Sequence, residues 1–261
     1  MAKYPEEESS SGEEIDPEAL KSAIDKTKNG EEIFVNDEDR IDSRPITDLT
    51  DAEFDELVRR LKDVVALMQN LSTRTDAYNR LSFRLDGFRL LLNRRNKSSV
   101  DVHDISHRTI RFVKRSHELD DLPQNDPNLD DFLSVLEETG SELSQRDASV
   151  RERMRLLTNA RFDQFTKEQK AELETQTDVL AHVSTDELAE DQRQDIEIAS
   201  DDSADPEDRK EARYRWTSRF VRAYEQAQKH AGRLGLTPER VNAITAAAER
   251  VIRWLLGSGG G

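Results

Sequence analysis

Three of the five histidines, His103, His107 and His117, fall in one short stretch of the chain. His103 and His107 are one helical turn apart, a spacing at which two imidazoles can share a metal ion. Their neighbourhood opposes that use. Between residues 89 and 117 the cations Arg89, Arg94, Arg95, Lys97, Arg108, Arg111, Lys114 and Arg115 stand against only Asp101 and Asp104. A divalent ion would be repelled there, and nothing specifies a third ligand. The expectation is no metal site, with the histidines at the surface. The cations themselves suit a different role, because arginine forks hold phosphates or carboxylates in fixed geometry. They are the candidate contact residues, either for an acidic surface of another subunit, including the acidic arm of a neighbouring copy, or for nucleic acid.

Other chemistries find no foothold. Carboxylate pairs abound among 55 acidic residues, so no pair stands out as acid and base. Gly232-Arg233-Leu234-Gly235 lacks the preceding strand and the following Lys-Ser or Lys-Thr of a phosphate loop. There is no cysteine, which removes disulfides and thiolate metal sites. The expectation is a protein that is not an enzyme and uses no cofactor. In the aromatic stretch of 214 to 224, Trp216 and Phe220 read as core, while Tyr214 and, further on, Trp254 read as candidate interface aromatics.

The elements that must carry these residues read as helices. From Thr50-Asp51 the apolar positions Phe54, Leu57, Leu61, Val64, Met68 and Leu71 alternate in steps of three and four, and Tyr78 and Leu85 continue the count. That predicts one helix over about 51 to 93, or two broken near Ser72-Thr73. Asp126-Pro127 is a cap followed by a first-turn proline, and Leu129, Leu133, Leu136, Leu143, Val150, Met154 and Leu157 again follow a heptad, with Gly140 marking an expected break. Thr166 and the Ser184-Thr185-Asp186-Glu187 stretch read as caps of two short polar helices. Asp201 to Asp205 is the linker, Pro206 opens a helix that ends by Gly235, and Thr237-Pro238 opens the last, so 206–256 is expected as an antiparallel helical hairpin.

The fold class expected is all-α: long coiled-coil-like helices or a helical bundle, with the C-terminal hairpin and a disordered acidic N-terminal arm. The expected division is 1–49, mostly arm with a short helix at 17–28; 50–160, a long-helix core; 161–205, a polar connector and linker; 206–256, the hairpin; and 257–261, a flexible glycine tail. Glu32-Ile33-Phe34-Val35 is the best strand candidate and is too short to support a sheet alone.

Only 34% of residues are hydrophobic and 36% are charged, so the core must be thin. The formal charge is -16, with 28 Arg but only 11 Lys among the 39 cations. A dense carboxylate surface with little lysine stays hydrated in concentrated salt, where repulsion is screened. The composition resembles that of proteins from haloarchaea and their viruses. Nothing approaches the roughly 20 apolar residues of a membrane span, and the acidic, serine-rich start does not read as a secretory signal. Location in the cytoplasm or a virion is expected. Narrow apolar seams bury little alone and gain by pairing, so the functional expectation is a structural subunit of a multimeric complex, a homo-oligomer that also contacts other proteins of its assembly. Its sharpest form is a virion head-to-tail connector or tail component. The alternative is a nucleic-acid-associated regulator binding through 89–117.

Overall fold

The computed structural model describes residues 30–256, with the side chains of 247 and 249–256 left out of the description. The acidic arm at 1–15, the short helix at 17–28 and the glycine tail lie outside the described residues. The chain is mostly helical: nine helices and one two-stranded sheet occur among the described residues. No helix there is long and apolar enough to cross a membrane.

The sheet is a hairpin of β1 (Glu31–Val35) and β2 (Ile41–Pro45), antiparallel with Ile33 opposite Ser43 and Val35 opposite Ile41. Its turn is shaped by Asn36, whose side-chain oxygen accepts from the amides of Glu38 and Arg40, with Asp39 at φ 56°. The strand expected at 32–35 is present, and the part of the expected arm before Gly30 lies outside the described residues. The strand at 32–35 finds its partner in Ile-Asp-Ser-Arg-Pro, a segment without apolar alternation. Tertiary contact supplies what the pair lacks. Ile33 and Ile41 are buried, and Ile41 exchanges backbone hydrogen bonds with Val183 and Thr185 at 2.8 and 2.7 Å.

Four helices build a first core. α1 (Asp51–Arg74) starts in a complete capping box between Thr50 and Glu53 and stops at Thr75, whose hydroxyl caps a short 3-10 turn over Asp76–Tyr78. α2 (Asn79–Leu92) follows, so the run is two helices, broken just past Ser72-Thr73. α3 (Ser99–Glu118) is capped by Ser98, and α4 (Pro127–Arg146) by Asp126 with Pro127 in its first turn. The buried set on α1 is Leu57, Val58, Leu61, Val65, Met68 and Ser72, a stripe wider than one heptad seam. Leu81, Leu85, Phe88, Val102, Val113, Phe132 and Leu136 close the core around it.

The expected break at Gly140 is absent. α4 runs through it, and the glycine lies beside a ring from α3: a Cβ there would meet Nε2 of His107 at an ordinary contact distance, 3.5 Å. The chain breaks instead at Asp147, which ends α4 and caps α5 (Ala148–Phe162) with a bond from the Val150 amide at 2.9 Å. α5 joins the two halves, giving Val150 to the first core and Phe162 to the second.

The second core takes the hairpin, α6 (Lys167–Ala181), α7 (Asp186–Ser200), α8 (Pro206–Lys229) and α9 (Pro238–Leu256). The 161–205 segment is no polar connector, since Leu173, Leu180, Leu188, Ile196, Ile198 and Ala199 are all buried against Trp216 and Phe220. The cap of α7 is Thr185, while the Ser184 hydroxyl donates to the Leu180 carbonyl. Trp216 and Phe220 are core as expected, stacked at 4.9 Å, and the indole N–H donates to Thr177 at 2.8 Å.

Candidate interaction surface

α2 and α3 place the candidate contact residues on neighbouring outer faces. On α2 the residues Leu81, Leu85, Phe88 and Leu92 turn inward and are buried. Helical spacing then forces Phe83, Gly87 and Leu90 outward together. Phe83 is 86% exposed and Leu90 63%, and a Cβ on Gly87 would meet nothing within 4 Å. This apolar strip is missing from the sequence reading, because a period count assigns apolar residues to the core by default. Its signal is nonetheless there: Phe83 and Leu90 fall on the face opposite Leu81, Leu85 and Phe88.

The cations gather beside it. Arg94, Arg95 and Lys97 lie on the connection from α2 to α3, the two arginines exposed and Lys97 half-buried. Arg108, Arg111 and Arg115 recur every three or four residues along the exposed side of α3. Arg84 lies over the Phe112 ring at 5.2 Å and so bridges the two helices. Some of the charge is answered locally: Arg89 approaches Asp86 at 3.9 Å, Arg108 approaches Asp104 at 3.8 Å, and Lys114 pairs with Glu137 at 2.8 Å. Arg94, Arg95, Lys97, Arg111 and Arg115 have no carboxylate partner among the described residues. Elsewhere most arginines do, as with Arg60 and Glu138, Arg146 and Glu53, and Arg213 and Asp163.

The histidines are not at the surface, which corrects that expectation. His103 is 3% exposed and His107 half-buried, their ring centroids 4.4 Å apart in the contact of α3 with α4. Neither ring nitrogen of His103 has a hydrogen-bond partner among the described residues; a carboxylate oxygen of Asp104 is 3.7 Å from Nδ1. Burial holds both imidazoles below their ordinary range, His107 at about 4, where the neighbouring His103 ring further opposes its charge. Gly140 of α4 packs against the His107 ring. Among the described residues no group of three or more His, Cys, Asp or Glu side chains is placed to hold a metal.

Tyr214 is buried at 7% exposure, so it is not an exposed anchor, and burial pushes its phenol upward. The side chain of Trp254 lies outside the described residues. The strongest electrostatic feature has no local signature in the sequence. Arg219, 2% exposed, donates to Glu31 at 2.9 Å and to Asp195 at 2.8 Å and pairs with Asp191 at 3.0 Å, while Arg215 donates to the other Asp195 oxygen at 2.8 Å. Burial opposes the Arg219 cation, but the carboxylates of Asp195 and Glu31 outweigh it and hold its pKa above the usual arginine value. The cluster ties β1 to α7 and α8, with Arg215, Arg219, Asp195 and Glu31 buried and Asp191 at its partly exposed edge.

No family model, no curated protein and no solved structure matches this chain.

Proposed function

We propose that the chain is a structural subunit of a multimeric assembly, docking through the surface of α2, the 93–98 connection and α3. The observation that supports this reading most is the coincidence of Arg94, Arg95, Arg111 and Arg115, arginines without a carboxylate partner among the described residues, with the bare side chains of Phe83 and Leu90, in a protein of charge -16. Exposed aromatic and arginine side chains around an apolar centre are the usual composition of interface hot spots. Two such faces would repel one another across a two-fold axis. A cationic patch on an otherwise acidic molecule instead favours head-to-tail contact with the acidic side of the next copy, the arrangement that closes into rings. The α7–α8 turn, where Asp201, Asp202, Asp205 and Glu207 are exposed, is an acidic side of that kind.

A ring suits the narrower reading of a head-to-tail connector or tail component, and the arginine-rich, carboxylate-dense composition suits a salt-adapted virion. The second reading is a nucleic-acid-associated regulator. The arginine stripe at 108, 111 and 115 favours it, since exposed guanidinium groups along one helix face can follow a phosphate backbone.

One experiment separates the two. In the variant with Arg94, Arg95, Arg111 and Arg115 all changed to Glu, molar mass by light scattering falls from multimer to monomer under the assembly reading. A multimer of unchanged mass that no longer retains DNA on a gel shift supports the regulator instead.

A further inference from the structure

We infer that the chain's own acidic segment, Glu6–Ile24, covers the α2–α3 surface before a partner does, so that docking is held in check by a built-in competitor. The inference rests on the assembly reading of that surface and adds its regulation.

Charge is the first argument. Glu6, Glu7, Glu8, Glu13, Glu14, Asp16 and Glu18 are the acidic residues of the segment, and Lys21 is its one cation. Opposite them stand five cations without a carboxylate among the described residues. The segment also carries Ile15, Leu20 and Ile24, apolar groups to set against Phe83 and Leu90. A polyacidic stretch with interspersed apolar anchors is the complement of a basic face with an apolar strip.

Position is the second. The segment joins the described fold at Gly30, held at φ 71° with its Cα so close to the Gln145 carbonyl that a Cβ would collide with it. Gln145 is in the last turn of α4. His107 lies against Gly140 and Lys114 pairs with Glu137, so α3 and α4 run antiparallel and the start of α3 is level with the end of α4. The segment therefore leaves the bundle at the end that carries Arg94, Arg95 and Lys97. Reach is ample: 29 residues precede Gly30 and span up to roughly 95 Å at about 3.3 Å each, against a helix length of about 30 Å. A tethered segment acts at an effective concentration in the millimolar range, which favours the chain's own copy over a neighbour's.

The test uses the full chain with Phe83→p-benzoylphenylalanine, a substitution at an exposed site that leaves the core intact. Light- and heavy-isotope protein are mixed, photolysed and digested with trypsin. The expected crosslink joins position 83 to the peptide Tyr4–Lys21 of the same isotope. Its yield falls about fivefold when Glu6, Glu7, Glu8, Glu13 and Glu14 become Gln, the combined effect of several weak exposed pairs. It also falls between about 0.1 M and about 1 M salt, as the screening length drops from about 10 Å to about 3 Å. Crosslinks to other peptides, crosslinks between isotopes, or a yield indifferent to the five glutamines would each overturn the inference. Light scattering on the same glutamine variant reads the assembly separately. Removing the competitor lowers the concentration at which multimers form. Same-isotope crosslinks in a protein that never multimerises would keep the covering contact and sink the assembly reading instead.

Discussion

Acidification should loosen the α3–α4 contact through His107, and the size of the effect can be worked from its surroundings. The imidazole is packed against Gly140 and tilted against His103, and burial is the main force lowering its pKa from 6.5 to about 4. His103, Arg111 and Lys114 oppose its charge, while Asp104 favours it; His103 itself is also lowered by burial, against the pull of Asp104 and Asp147. Because the folded-state value lies below the unfolded one, the unfolded chain binds more protons between the two. The stabilisation is thus whole above about pH 6.5 and lost as pH falls toward about 4. At about 1.4 kcal/mol per decade the full gap corresponds to about 3 kcal/mol, of which about 2.5 kcal/mol is gone by about pH 4.5. Urea unfolding of the wild type and of His107→Leu at about pH 7 and about pH 4.5 isolates this contribution from carboxylate titration, which both proteins share. The wild type should lose about 2 to 3 kcal/mol more than the variant over that interval. Equal losses in the two proteins would refute the buried, neutral histidine.

Gly140→Ala should raise stability by up to about 1 kcal/mol, since the new methyl meets the His107 ring at ordinary contact distance, 3.5 Å, and the helix gains a better former; a melting temperature that drops would show that the ring has no room to give. Arg219→Met should cost about 3 to 5 kcal/mol by stranding the buried Glu31 carboxylate and leaving Asp195 with Arg215 alone, and the denaturant midpoint should fall accordingly. Phe83→Ser together with Leu90→Ser should leave stability within about 0.5 kcal/mol of wild type in urea unfolding while weakening self-association in sedimentation equilibrium.

Local signals carried most of the helical reading. Asp126-Pro127, Asp205-Pro206 and Thr166 each begin a helix where a cap and its first turn say one should. The helix opened at Thr50 runs its apolar stripe to Met68 and ends where threonines accumulate. What escaped depended on contacts between distant parts of the chain. Gly140 marks no break because it lies inside the α3–α4 contact beside the His107 ring, while Asp147 ends α4 and caps α5 with a bond no period count registers. The 161–205 stretch looked polar because its buried face includes Thr177, Gln192 and Asp195, residues counted as solvent-facing until Trp216, Arg215 and Arg219 arrive to partner two of them. The hairpin depends on a carboxylate at Glu31 meeting an arginine 188 residues away. The basic segment was legible as a cluster, but its apolar neighbour, Phe83 and Leu90, emerged only when the inward face of α2 was known.

The central claim is that the α2–α3 surface holds copies together, and molar mass tests it most directly. Size-exclusion chromatography with light scattering, at low and at multimolar salt, should give a discrete multimer for the wild type and a folded monomer of 29.9 kDa for the Arg94, Arg95, Arg111 and Arg115 to Glu variant. A wild type that is monomeric at both salts, or a charge-reversed variant that keeps the multimer's mass, would contradict it.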